Sequence, residues 1–449
     1  MNNTNTSFSK EEFERARGRR EAFSKLEYNQ KDETRKLVEQ FLIIGSNSSE
    51  DSEAEILYRY PDIDIENFEY KIISLYCFPE GCKTQKKEAT STEDLIQIEK
   101  SIKEGCVNVS NFFSLKMASP KNGVERNGLC FSIKRIEIDK QKPLIYYEDE
   151  IIYMIVSTSS CYLLLIEFIE ALIMNERDIN WFKTNTITKK TFESYFKQFF
   201  NLPENYQQTV KLSWCKNLLE NIECPLGCCL FIRVIPVEDL IILLSALVLQ
   251  RKLLIKSKNR CILSGAISFF TQAIKPFSYD SPIISVLIND LFDLIDSPTP
   301  LLIGCSSLPN EIPENSILYD IDDKFMQKFT DDFILLPNAN EIASSIDSIR
   351  KPLKNCKNHP THLCLKEHSQ YIQWALQKIQ IEFRLMVDNF DDYIETLKEP
   401  GKPQISLFRK KDFIEEAEPK YLPFLKEFCE TQMFESFINE KLDAYDYGK

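Results

Sequence analysis

Pro236-Val237-Glu238-Asp239-Leu240-Ile241-Ile242-Leu243-Leu244-Ser245-Ala246-Leu247-Val248-Leu249-Gln250 runs straight into Arg251-Lys252-Leu253-Leu254-Ile255-Lys256, and this junction decides the fold class. In the first half Leu240, Leu243, Leu244 and Leu247 recur at helical spacing behind a proline suited to the first turn. The second half reads as a strand. Downstream the alternation repeats. Residues 261–274 return to helix and stop at Lys275-Pro276, 282–288 are strand-like, 291–295 a helical turn, and 301–304 strand again. Residues 316–320 and 333–336 add two short strands. Strands alternating with helices of this length predict βαβ units and a largely parallel sheet covered by helices on both faces, expected over 210–336.

Upstream the pattern differs. Order is expected to begin at residues 37–44, a short apolar stretch ended by Gly45. Ile56-Leu57-Tyr58-Arg59-Tyr60 is β-rich and halts at Pro61-Asp62, a turn pair, and an apolar run at 72–78 closes at Pro79-Glu80-Gly81. A polar insertion covers 83–92. Further strands are expected at 111–117 and 129–136, with Asn122-Gly123 as a hairpin turn between them, and at 151–156. At 161–174 the period changes, with Leu165, Phe168 and Leu172 on one helical side. About five strands with flanking helices therefore fill 37–174. Residues 1–36 read as a polar, charge-dense segment, and a linker is expected over 175–209.

Beyond 336 the composition turns polar, and 337–360 reads as a connection. A helical unit follows over 361–445. Ile372, Leu376, Ile379, Phe383, Met386, Phe390, Tyr393 and Leu397 step by three or four residues, predicting one helix of about seven turns. A final helix is expected over 422–442. Both stripes read as core.

The chain has 449 residues, 43% hydrophobic, and a formal net charge of -13. That apolar content excludes a mostly disordered chain, and the length calls for two or three packed units. The acidic balance disfavours a nucleic-acid binder. The amino end lacks the basic and apolar blocks of a secretory signal, and Ser157 to Ser160, Glu167 and Glu170 interrupt the most membrane-like stretch, 151–174. The 14 cysteines then read as buried small hydrophobes in a cytosolic protein.

Three histidines, His359, His362 and His368, are all the chain contains, so a Ser-His-Asp or Cys-His pair in either α/β unit would need the carboxy-terminal segment folded over it. Gly227, Gly265 and Gly304 stand alone, and neither GxxxxGK nor GxGxxG occurs. Cys356, His359, His362, Cys364 and His368 could satisfy tetrahedral zinc by number, but their spacing fits no paired-CxxC or two-Cys, two-His site. Cys224, Cys228 and Cys229 lack a nearby histidine. No metal and no cofactor are expected. What remains is a large α/β protein built for binding, its informative surfaces being the groove between units and the loops at the strand ends.

The segments resemble the DENN-domain family over nearly all of 37–445. The resemblance runs upstream through Glu39-Gln40-Phe41-Leu42-Ile43-Ile44-Gly45, Glu55-Ile56-Leu57-Tyr58-Arg59-Tyr60-Pro61 and Tyr76-Cys77-Phe78-Pro79-Glu80-Gly81. Centrally it takes in 230–240, 244–257, Lys275-Pro276-Phe277-Ser278-Tyr279 and, most diagnostic, Asp296-Ser297-Pro298-Thr299-Pro300-Leu301-Leu302-Ile303-Gly304. Downstream it takes in 383–393 and 431–438. Ser281-Pro282-Ile283 departs from the Trp and His-Pro-Tyr that many members carry after the tyrosine.

That resemblance implies a longin-like amino-terminal lobe, a doubly wound, mostly parallel α/β central lobe and a helical carboxy-terminal subdomain. It also implies exchange-factor activity on a Rab-family small GTPase in vesicle trafficking, with no transmembrane segment and membrane recruitment through partners. A GTPase-binding adaptor and a scaffold are the alternatives. A GTPase activator would need an arginine finger, for which Arg59, Arg135 and Arg233 are nominal candidates. Across the inter-lobe face the GTPase is expected to meet Glu55, Tyr58 and Arg59 on one lobe. On the other it is expected to meet Asn289, Asp290, Asp293, Asp296, Ser297, Pro298 and Thr299.

Overall fold

In the computed structural model the chain is described over residues 37–46, 52–65, 68–105, 111–118, 125–158, 225–309, 311–313, 316–328, 334–354, 361–397 and 404–447, with 162, 165, 166, 168, 169 and 200 besides. The first apolar runs become β1 (Val38–Gly45), β2 (Glu55–Tyr60), β3 (Gln85–Glu88), β4 (Phe112–Ala118), β5 (Glu125–Ile138) and β6 (Ile145–Ser157). They form one antiparallel sheet ordered β2-β1-β6-β5-β4, with β3 paired to β6. Phe41, Leu129, Phe131, Tyr153 and Ile155 face one side, against Tyr162, Leu165 and Phe168. Leu42, Ile44, Cys130, Ile152, Met154 and Val156 face the other, against Ile73 and Cys77 of helix α1 (Tyr70–Cys77). Burial on both faces is why these strands read as continuous apolar runs despite their antiparallel pairing.

The polar insertion at 83–92 contains β3, whose Lys87 pairs with Glu148 of β6 at 2.7 Å, and leads into α2 (Thr92–Gly105). The Asn122-Gly123 turn, Leu172 and the linker lie outside the described residues.

The second sheet consists of β7 (Lys252–Lys256), β8 (Ile283–Leu287), β9 (Leu302–Cys305), β10 (Ser316–Asp320) and β11 (Phe325–Lys328), ordered β11-β10-β7-β9-β8. All neighbours are parallel except β11 with β10. Helices α3 (Pro225–Val234), α4 (Val237–Val248) and α5 (Arg260–Ala273) share the core of one face with Leu253, Ile255, Leu302 and Ile317. Asn259 starts α5, its side-chain oxygen accepting from the N–H groups of Cys261 at 3.0 Å and Ile262 at 3.2 Å.

The opposite face, Leu254, Ile303, Cys305 and Leu318, is covered by Leu291, Phe292 and Ile295 of a 3-10 segment, Asn289–Asp296. The helical turn expected at 291–295 lies within this 3-10 segment, which Pro298 and Pro300 follow in the short connection between Leu287 and Leu302. The strand expected at 333–336 is absent from its described part. Residues 334–336 are irregular, with the Leu336 N–H donating to Ser245 Oγ at 3.0 Å, and the edge strand is β11 instead.

The two sheets stay distinct and meet edge to edge, β4 beside β8, while α5 packs on β4. Ser264 Oγ accepts from the Ser114 N–H at 3.1 Å. Arg260 donates to the Cys77 carbonyl at 2.6 Å, pairs with Glu150, and lies 4.8 Å over the Phe113 ring. One hydrophobic core runs through both units.

The carboxy-terminal unit differs from expectation at three points. The polar connection contains α6 (Ala339–Lys354), which buries Ile342, Ile346, Ile349 and Leu353. The seven-turn helix ends early: α7 (Thr361–Leu385) gives way to a 3-10 turn, Phe390–Tyr393, and to β12 (Ile394–Leu397) paired with β13 (Ile405–Phe408). Beyond α8 (Lys410–Glu415), the last helix is two, α9 (Leu422–Phe428) and α10 (Gln432–Tyr447). Between them Thr431 Oγ1 accepts from the Phe434 N–H at 3.2 Å and starts a new helix. Both stripes do bury their apolar residues, including Ile372, Phe383, Phe424 and Phe437.

Candidate functional site

The residues expected to meet a partner fall into two groups that the fold holds apart. Glu55, Tyr58 and Arg59 lie on β2, the sheet edge farthest from β4. Four strand spacings put β2 about 19 Å from the seam. Arg59 is engaged locally, by Asp62, by Asp64 and by the Tyr70 ring 5.5 Å from its guanidinium. The hydrogen bonds it donates to those two carboxylates raise its pKa. Tyr58 is half-buried against Phe41, and burial, followed by Tyr60, pushes its hydroxyl pKa up. Glu55 is exposed.

The second group lies on the 3-10 segment and the loop after it. Asp290, Asp293 and Asp296 are all exposed, while Ile295 is buried toward the sheet; non-helical backbone at Leu291 (φ -112°, ψ 16°) kinks the segment between the first two aspartates. Asn289 accepts from Ser307 Oγ at 2.9 Å. Ser297 and Thr299 share a hydroxyl contact of 2.8 Å, and the Thr299 N–H reaches Ser297 Oγ at 3.4 Å, so both serve the local turn around Pro298. Lys252 pins the segment to β7 by donating to the Ile295 carbonyl at 3.0 Å.

Where β4 meets β8 a cavity of about 320 Å³ opens between the sheets; the sequence pointed to a groove between units but to none of the residues that line this cavity. Ile72 and Tyr76 of α1, Leu115 and Lys116 of β4, Arg126 of β5 and Ser285 of β8 line it. Arg126 is nearly buried and paired with Glu39 at 2.6 Å. Burial raises the Tyr76 hydroxyl pKa. A register shift between Ile284 and Leu287 marks a bulge in β8 at Ser285, a common device at sheet edges beside binding sites. The one-turn spacing of Ile73 and Cys77 was the available sign that α1 is a helix that lays its outer side along this seam. Apolar wall with a few charged groups suits docking, and the described lining residues contain no nucleophile–base pair.

Residues 54–133 match the uDENN domain family, 152–324 the DENN (AEX-3) domain and 408–448 the dDENN domain. The chain belongs to the DENN-domain family. Its central DENN segment begins inside β6, so the family divisions cut across the sheets: the last strand of the first sheet is counted with the second unit.

Among curated DENN relatives, mouse (Mus musculus) DENN domain-containing protein 2A is 28% identical over 221 residues, 46% of this chain and 21% of the relative. Human (Homo sapiens) DENN domain-containing protein 2C is 26% identical over 265 residues, 57% of this chain and 26% of the relative. Xenopus laevis DENN domain-containing protein 1A is 24% identical over 221 residues, 48% of this chain and 20% of the relative. The similarity thus spans about a fifth to a quarter of each relative.

Other sequence candidates resolve within this DENN framework. Arg135 is buried, donating to the Ser46 carbonyl at 2.7 Å and pairing with Asp149, while Arg233 ends α3. Cys356 and His359 lie outside the described residues, His362 and Cys364 fall on α7, and His368 is buried there with its ring 6.4 Å from Tyr371. Cys228 is buried, donating to the Gly265 carbonyl at 3.3 Å, and Cys229 is half-buried. Among the described residues no helix is long and apolar enough to cross a membrane.

Proposed function

We propose that this chain is a guanine nucleotide exchange factor that promotes GDP release from a Rab-family small GTPase in vesicle trafficking, acting in the cytoplasm and reaching membranes through its partners. The observation that carries this is the presence, in order in one chain, of all three parts of the DENN module. The first sheet is read as the longin-like lobe and the second as the doubly wound central lobe. Arg59 and Arg135 are each held by carboxylates of this chain, which favours exchange over activation by an arginine finger.

Exchange needs no bond-making by the factor. A GTPase holding nucleotide at about 1 nM has about 12 kcal/mol of binding free energy at standard state. A factor that prefers the empty GTPase weakens nucleotide binding by the same ratio, by linkage. The exposed carboxylates of Asp290, Asp293 and Asp296 would meet basic switch-region side chains, with Asn289, Ser297, Pro298 and Thr299 around them, and Glu55, Tyr58 and Arg59 on the far strand β2 would form a separate second contact.

Fluorescent-GDP release across a Rab panel tests both levels. Asp290→Lys and Asp293→Lys should each weaken GTPase binding by about 1–3 kcal/mol with an unchanged unfolding midpoint. Unchanged release in both variants would move the contact elsewhere. A Rab that binds without faster release would make the chain an adaptor.

A further inference from the structure

Helix α7 carries two apolar stripes, and its place in the fold accounts for only one. The inner stripe, Ile372, Leu376, Ile379 and Phe383, is buried, as is Met386 just past the helix end. The outer stripe is Tyr371, Trp374, Ile381 and Leu385, exposed by 38%, 38%, 43% and 47%, with Lys378 in line between them. Their steps of three, four, three and four residues are the a and d spacing of a helix–helix seam. Single exposed apolar residues are ordinary, but a continuous line containing a tryptophan and a tyrosine is the composition of an interface core.

The charges on this face say what covers it. Lys378 and Arg384 are exposed beside the stripe, with Gln370 and Gln377 alongside, and Lys378 Nζ stands 5.6 Å from the Trp374 ring centroid. Glu382 is half-buried; burial, followed by Glu341, raises its pKa, while Asn338 at the start of α6, Lys420 and Lys378 itself act to lower it. On a chain of net charge -13 the two exposed cations of this aromatic face still outnumber that one half-buried acid. A second copy would set Lys378 and Arg384 against their own kind. A bilayer would take such a face only if its apolar side chains could sink into the headgroup boundary, and these are already half-held by the protein. We propose that the outer face of α7 docks an amphipathic helix of a partner protein that has apolar residues at a and d and carboxylates on the flanks. Lys378, a cation at an a position, sets the register by pairing with one of those acids. This face is independent of the exchange reading.

The full chain is titrated with a synthetic three-heptad peptide bearing Leu at a and d and Glu at e and g, followed by Trp374 fluorescence and calorimetry. A Lys-flanked peptide is the control. The Glu-flanked peptide should bind at least about tenfold more tightly, and Trp374→Ala should lose about tenfold. The double variant Lys378→Glu, Arg384→Glu should reverse the peptide preference with an unchanged melting temperature, which keeps the outcome readable should Trp374→Ala disturb folding. Equal or absent binding of the two peptides overturns the proposal. So does sedimentation with phosphatidylserine-containing vesicles that depends on Lys378 and Arg384, or self-association that depends on Trp374.

Discussion

Asp320 closes β10 with its carboxylate nearly buried. Burial alone would raise its pKa, yet Lys256 and the N–H groups of Asp323 and Asp322, at 3.2 and 3.0 Å, hold it below the usual carboxylate range. The folded state therefore takes up that proton less readily than the unfolded chain. The stability this gives is fully present above the unfolded value of about 3.9 and is lost as pH falls through the lower folded value. Asp320→Asn should cost about 1–3 kcal/mol near neutral pH, where Lys256 loses its partner, and the gap to wild type should close in acid. Urea unfolding at both ends of the range measures it; a gap that persists in acid would assign the effect to packing. Legibility at this scale depended on distance along the chain. The partners of Arg59 lie three and five residues away and were in plain view, whereas Arg126 with Glu39 and Arg260 with Glu150 join residues 87 and 110 positions apart. Spacing arguments do not reach that far.

Helices α3 and α5 cross at Gly227 and Gly265, and a Cβ on Gly227 would stand 2.7 Å from the Gly265 Cα. No side chain fits between two backbones that close. Gly265→Ala should destabilise the chain by about 3 kcal/mol or more, read from chemical denaturation. A loss under about 0.5 kcal/mol, the size of an ordinary surface change, would mean the crossing can open. In the sequence Gly227 and Gly265 read only as isolated glycines outside any phosphate-loop motif; their use as a helix crossing appears only when the two helices are brought together. Periodicity served α4 and α5 well because each is bounded by a strong local signal, Pro236 before α4 and Lys275-Pro276 after α5. It overran α7 because Phe390, Tyr393 and Leu397 kept the spacing by chance through a 3-10 turn and a strand. It passed over α6 because polar composition hid the four-, three- and four-residue steps of Ile342, Ile346, Ile349 and Leu353.

Across the whole molecule, Phe277 joins the central unit to the tail, its ring 5.9 Å from Phe383, 4.7 Å from Phe428 and 5.3 Å from Phe437. Phe277→Ala should cost about 3–5 kcal/mol. A chain ending at Leu397 would uncover the same cluster and should bind hydrophobic dye and lose cooperative unfolding. Calorimetry of the full chain should give a single transition, because one core runs through both sheets and the tail; two resolved transitions would mean the units fold separately. The sequence by itself determined the α/β class, the strand–helix alternation from 236 to 320 and the family, since helical period, β-rich runs and proline stops are local properties of the chain. Only the tertiary structure decided that the sheets meet at β4 and β8, that a cavity opens there, that the two groups of candidate contacts lie apart and that α7 keeps an outer stripe exposed. Each of those depends on which distant surfaces pack together, and packing is set by shape and burial between segments that no local pattern compares.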